Sequence, residues 1–167
     1  MPEIIAWPGG EEETPNSMVS LAEFVAHLDA HAFPVDEPEP EMARALLTAQ
    51  RGIDALSLAG KRTESDQPLS FPRTGLRDLD YRAVASDEIP ERAKRSQMEW
   101  ALLLLQGIGD PAEEQTADEV QVGPIRVVQS SRSGADSGPR RRDGVPSIVR
   151  QQLGDWYEAG RIRMVRS

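Results

Sequence analysis

Three apolar stripes of helical period, each closed off by Pro or Gly, constrain this chain more than any other feature. Leu21, Phe24, Val25 and Leu28 fall at i, i+3, i+4 and i+7, one helical face, and Ser20 with Glu23 makes a capping box ahead of them. Met42, Leu46, Ala49, Ile53 and Leu56 recur at spacings of four and three. The acidic stretch EPEPEM suits the start of that second helix, with Pro40 in its first turn and carboxylates at the positive end of the dipole; Gly60 is the expected stop. A third helix begins at Asp87-Glu88-Ile89-Pro90, with Pro90 at its first position. Ala93, Trp100, Ala101 and Leu104 line one face, widened by Met98, Leu102 and Leu105, until Gly107. Short amphipathic helices bury one another, so the expected fold is mainly α, a small helical bundle with a short β element and an extended C-terminal arm.

Between the second and third helices lies SDQPLSFPRTGL, residues 65–76, which is neither helix nor central strand. Pro68 and Pro72 fix φ and remove two backbone donors, and Phe71 before Pro72 is pushed towards extended geometry. The phrase reads as a rigid turn with one apolar anchor, Phe71, and one guanidinium, Arg73, followed by Gly75, which tolerates positive φ. Phe71 is expected to be buried against the third helix. Arg73 is expected to bond carbonyls or carboxylates in its own loop or across a subunit boundary, with its own loop favoured.

After Gly109-Asp110-Pro111 the pattern changes. Residues 117–129, ADEVQVGPIRVVQ, alternate in β fashion around Gly123-Pro124, as an edge strand, a bulge or two short strands. Residues 130–144 are polar, rich in Gly and Ser, and carry Arg140, Arg141 and Arg142, which is the composition of a flexible basic linker. Pro146 then opens a helix in which Val149, Leu153, Trp156 and Tyr157 share a face, and Gly160 closes it. This gives four expected regions: a body at 1–110, a β extension at 111–129, a linker at 130–144 and an arm at 145–167. A tethered amphipathic arm calls for a partner surface or for its own body to fold onto. On the first alternative, removal of 145–167 leaves the helical body folded.

Composition bounds the function. The 167 residues carry a net charge of −9, distributed as a gradient: residues 1–41 contain ten Asp/Glu and no Lys or Arg, whereas residues 132–167 contain eight Arg against four Asp/Glu. Such polarity orients subunits or partners, or is merely solvated at both ends. Apolar content of 38% with 5% aromatic is thin for a compact monomer, and 13 Pro with 13 Gly point to long loops or arms. With no Cys there are no disulfides or thiolate metal sites. The start, MPEIIAWPGGEEE, lacks the basic flank and long apolar stretch of a signal peptide, and the longest apolar run, WALLLL at 100–105, is too short for a membrane span. The expectation is a soluble protein made in the cytoplasm, without membrane contact.

No catalytic constellation emerges. AGKRT at 59–63 lacks the Ser or Thr after its Lys and the first Gly of a phosphate-binding loop. His27 and His31 at i, i+4, with Glu23 a turn earlier, are expected as a surface-facing row opposite the apolar stripe, without a metal. Asp78 and Asp80 have no nucleophile or base beside them. The expectations are therefore no enzyme, no metal and no cofactor. Arg140 to Arg142 suit phosphates electrostatically, but Trp156 and Tyr157 lie in the acid-containing GDWYEAG and the pI is near 4.8, opposite to the usual nucleic-acid footprint.

The phrases NSMVSLAEFVAHLDAH, LLTAQRGIDAL, GKRTESDQPLSFPRTGL, SDEIPERAKRSQMEWALLLL, VQVGPIRV and the terminal RIRMVRS occur in an order that resembles a family of tailed-phage and prophage proteins. These are the small head–tail connector (adaptor, or head-completion) proteins, many of which carry the label DnaT-like single-stranded DNA-binding protein. The similarity runs over most of the chain except roughly 130–144. Its most specific parts are Gln67 to Arg73 and Ile89-Pro90; the usual aromatic before the proline is Trp, where this chain has Phe71.

The resemblance implies a helical adaptor that forms a ring, generally dodecameric, beneath the portal protein in the neck of the virion. The ring extends the channel through which double-stranded DNA passes without sequence-specific binding, and it docks a stopper or tail-terminator protein. The C-terminal arm then reaches the portal or a neighbouring subunit through Ile148, Val149, Leu153, Trp156, Tyr157, Arg161 and Arg163, and Arg140, Arg141 and Arg142 supply an electrostatic contact. Phe71, Pro72 and Arg73 become a structural loop on the body. The alternative is a DnaT-like single-stranded DNA-binding accessory of replication.

Overall fold

A computed structural model describes residues 3–7, 14–31, 37–108, 121–122, 125–126 and 144–158. The described fold is mainly α: α1 (Leu21–Ala30), α2 (Glu39–Asp54), α3 (Glu91–Leu105) and α4 (Ser147–Leu153), the last continued by a one-turn 3-10 helix, Gly154–Trp156. Two antiparallel pairs of two-residue strands accompany the helices. β1 (Lys61–Arg62) pairs with β2 (Arg73–Thr74), and β3 (Gln121–Val122) with β4 (Ile125–Arg126). The alternation around Gly123-Pro124 is thus two short strands, with Gln121 opposite Arg126 and Val122 opposite Ile125. Among the described residues no helix is long and apolar enough to cross a membrane.

Local chemistry explains the helix starts. The Ser20 hydroxyl accepts from the Glu23 amide at 3.2 Å while the Glu23 carboxylate accepts from the Ser20 amide at 2.7 Å, the reciprocal box that satisfies two orphan donors. Those bonds to the charged carboxylate hold the Glu23 pKa below its ordinary value, with Lys94 adding to the effect. α2 begins after Pro38 with Pro40 in its first turn and Glu39 and Glu41 at the positive dipole end. Pro90 stands one residue outside α3, as the extended cap, so Glu91 is the first helical residue.

The core joins all four helices. Phe24 and Leu28 of α1, Met42, Leu46, Ala49 and Ile53 of α2, and Ala93, Met98, Trp100 and Ala101 of α3 are buried together. Among the described helices α2 and α3 share the most extensive contact. A Cβ on Gly52 would lie 2.6 Å from Cη2 of Trp100, so the indole has room only because position 52 has no side chain. Gln97 sits on the apolar face of α3, fully buried: its Oε1 accepts from the Met18 amide at 3.1 Å, and its Nε2 donates to Ser17 Oγ at 2.8 Å and the Leu46 carbonyl at 3.1 Å. One side chain thereby ties α2, α3 and the segment entering α1, with both of its own amide atoms paired.

Two expectations change. α2 ends at Asp54 rather than at Gly60, because Asp54 Oδ1 accepts from the Ser70 amide at 2.7 Å and pulls the SFPRTG loop onto the helix end. Gly60 instead makes the turn into β1, with φ of 72°. The second change concerns the arm. Val149 and Leu153 of α4 are fully buried and Trp156 is 3% exposed, all three within the core of their own chain, and α4 packs on α3. Residues 145–158 are therefore part of the body, and burial of these three side chains removes them from any external docking face. Ile148 and Tyr157 are half-buried against the same core. Arg140, Arg141, Arg142, Arg161 and Arg163 lie outside the described residues.

Candidate functional site

Side-chain hydrogen bonds hold the SFPRTG loop from both sides. Arg73 fans its guanidinium over four backbone carbonyls of its own chain: Nε donates to Ala59 at 2.7 Å, Nη1 to Ser70 at 3.1 Å, and Nη2 to Leu58 at 3.0 Å and Gly60 at 3.1 Å. Burial, with Arg62 nearby, lowers its pKa from the ordinary arginine value, while Glu158 opposes the shift; arginine stays charged in proteins all the same. Gln67, also buried, closes the loop from the other side. Its Nε2 donates to the carbonyls of Leu69 (2.8 Å) and Pro72 (3.0 Å), and its Oε1 accepts from the Glu64 amide at 3.0 Å. Phe71 and Pro72 are buried, and the peptide between them is cis.

Arg73 must therefore act as a staple inside one subunit. Arg73→Ala should lower stability by about 2–3 kcal/mol, because carbonyls lose a charged donor and no other donor replaces it. Arg73→Lys should recover only part, since an ammonium cannot fan across four acceptors. Urea unfolding checks this through a lower midpoint at unchanged slope; an unchanged midpoint for Arg73→Ala would contradict the staple.

The C-terminal segment completes this region. The Ala59 amide donates to the Trp156 carbonyl at 2.8 Å and the Glu158 amide to the Ser57 carbonyl at 2.9 Å, around a bridge between Leu58 and Tyr157. Trp156 meets Phe71 with ring centroids 6.2 Å apart, donates Nε1–H to the Arg77 carbonyl at 2.6 Å, and carries the Arg92 guanidinium 4.6 Å above its ring. Arg92 also donates to the Gln152 carbonyl at 2.9 Å.

A second feature is a projecting tip at residues 77–83. Asp78 Oδ1 accepts from the amides of Asp80 (2.9 Å) and Arg82 (2.8 Å), and Arg77 Nη1 donates to the Tyr81 carbonyl at 2.8 Å. The braced tip leaves Leu79 73% and Tyr81 77% exposed, the most exposed large apolar side chains among the described residues. Asp78 and Asp80, read from sequence as a bare carboxylate pair, thus serve the turn: Asp78 caps it and Asp80 pairs with Arg82 at 3.3 Å.

The third feature lies between α1 and α3. His27 does not face solvent as expected from its place on the helix; its side chain is 11% exposed, with Nε2 3.4 Å from Glu99 Oε1, and His31 Nε2 is 3.9 Å from the same oxygen. Glu23, the carboxylate expected to join them, is committed to the Ser20 cap and to Lys94 at 3.3 Å. Burial first, and His31 second, pull the His27 pKa below its usual value, against the raising effect of Glu99.

A family model described as "Putative DnaT-like ssDNA binding protein" matches residues 5–167. The chain belongs to this family. The matched range spans the SFPRTG loop, α4 and the last residue. No curated protein and no solved structure matches the chain.

Sequence reasoning singled out Phe71, Pro72 and Arg73, which the structure brings together with Trp156. It named Gln67 only within the phrase Gln67 to Arg73, without a role, and missed Arg92, Gln97 and Glu99. Only Gln97 had a local signal, a polar residue at i+4 from Ala93 on an otherwise apolar face. The partners of the others come from segments remote in sequence or from loop carbonyls.

Proposed function

We propose that this chain is a non-enzymatic structural protein of a tailed-phage or prophage virion, an adaptor that rings the DNA channel between the portal and the stopper or tail. The observation that carries the reading is where the aromatics sit. Phe24, Phe71, Trp100 and Trp156 are each no more than 3% exposed, so they hold the core and are not offered to bases; among the described aromatics only Tyr81 is largely exposed, and one ring makes no row of stacking platforms. Single-strand binding relies on exposed aromatic platforms beside a cationic groove. An excess of acid, −9 over the chain, suits a wall past which DNA slides. The braced tip with Leu79 and Tyr81 exposed supplies an apolar anchor for a neighbouring subunit or for the partner docked below the ring.

The second reading, a single-stranded DNA-binding accessory of replication, is favoured by the family's description over residues 5–167, which names that activity and not a connector. One titration separates the two. With fluorescein-labelled oligo-dT and a duplex of equal length near physiological salt, the adaptor reading expects at most non-specific affinity, a Kd of about 10⁻⁴–10⁻⁶ M, alike for both. It also expects Arg140, Arg141 and Arg142 replaced together by Ser to leave that affinity within a few-fold. A single-strand Kd well below that range, with a steep salt slope that falls in the triple variant, overturns the adaptor. Imaging of purified particles, with this chain in the neck or absent from it, is the direct counterpart.

A further inference from the structure

The groove between α1 and α3, about 520 Å³, holds the chain's two histidines and two acids of the facing helix, Glu91 and Glu99, on its wall. One ring nitrogen of each histidine and one oxygen of Glu99 lie within 4.8 Å of one another. The His31 ring is fixed by its Nδ1, 2.8 Å from the His27 carbonyl. A carbonyl only accepts, so Nδ1 carries the hydrogen, and in the neutral ring Nε2 presents a bare lone pair towards the Glu99 carboxylate. His27 Nε2 is buried and makes no hydrogen bond although it lies 3.4 Å from that carboxylate. Lone pair, orphaned nitrogen and carboxylate converge on one point. The nearby cations are engaged elsewhere: Lys94 with Glu23 at 3.3 Å and Arg95 with Glu91 at 3.5 Å.

We propose that His27, His31 and Glu99 bind a divalent transition-metal ion of the Zn²⁺ class, with a fourth coordination position open to the groove. Imidazole and carboxylate donors suit that class, and an i, i+4 histidine pair on one helix turn with a carboxylate from a neighbouring element is a workable three-ligand set. Metal–ligand bonds of about 2.0–2.1 Å at tetrahedral angles place donors about 3.3 Å apart. The distances of 3.4 and 3.9 Å to Glu99 lie near that value, and with all three donors within 4.8 Å of one another binding needs closure by side-chain adjustment. The Nδ1 bond of His31 to a backbone carbonyl is the outer contact that fixes a ligating imidazole.

The test uses tag-free, full-length protein stripped with a chelator and titrated with ZnCl₂ by calorimetry, and with Co²⁺ by the visible absorption of the tetrahedral ion. The chain has two His and no Cys, so no other His or Cys site competes. Expected are one equivalent bound per chain, a loss of affinity of tenfold or more in both His31→Gln and Glu99→Gln, and a melting temperature raised by Zn²⁺ in the parent alone. The His31 side chain is 52% exposed, so His31→Gln should fold and decides the matter if Glu99→Gln is destabilised. Absence of saturable binding, or saturable binding that survives His31→Gln, overturns the proposal.

Discussion

Deleting residues 145–167 should unfold the helical body and not merely free it of an arm. Val145 is 5% exposed, Val149 and Leu153 are fully buried and Trp156 is 3% exposed, all in the common core. Truncating any one buried Leu or Trp to Ala typically costs about 2–5 kcal/mol. The deletion removes all four side chains at once, together with the amide bonds from Ala59 and Glu158 that join the segment to the SFPRTG region. Such a loss is comparable with the whole stability of an ordinary domain, about 5–15 kcal/mol. It also uncovers the face of α3 on which α4 lies, an apolar patch that invites aggregation. Circular dichroism of residues 1–144 should show reduced helix and no cooperative melt. A truncated chain that melts at the temperature of the full one would show that α4 adds nothing to the body.

The second large effect is expected from Phe71→Ala, at about 3–5 kcal/mol, the usual range for a fully buried phenylalanine. The ring is the loop's only aromatic and reaches Trp156 at 6.2 Å, so it joins the loop to the C-terminal segment as well as to the bundle. Its removal leaves a cavity among groups that cannot collapse freely. Arg73 holds the loop to residues 58–60, and Gln67 holds it to Leu69 and Pro72. The melting midpoint should fall by roughly 10–20 °C, and Phe71→Leu should restore most of it. Since Phe71 and Trp156 share one contact, Trp156→Ala in the Phe71→Ala background should cost less than in the parent. Strict additivity of the two losses would mean that the rings do not support each other.

Much of what is set within one helical turn was legible in the residues, although Pro90 proved to stand one residue outside α3. The Ser20–Glu23 box, Pro40 at the start of α2, the buried faces of the first three helices and the positive φ of Gly107 follow from rules that act over three or four positions. The value of Arg73 as an anchor was legible too, because a guanidinium between constrained residues has few places to go. What it bonds was not, since Leu58 to Gly60 lie thirteen to fifteen positions away and present carbonyls, which every residue has.

Tertiary packing decided the rest. α2 stops at Asp54 because a loop amide at Ser70 offers its carboxylate a bond, although the apolar period continues to Leu56. The aromatic face of residues 149–157 looks the same in sequence whether it meets a partner or its own body. The outcome was settled by Phe71, Arg92 and the backbone of residues 57–59 standing ready to receive Trp156. Glu99 likewise became the partner of His27 and His31 only when α3 lay against α1. Periodicity and capping report how a segment meets water; which segments meet each other depends on complementary shape and unpaired polar groups far apart in the chain, and no local spacing encodes that.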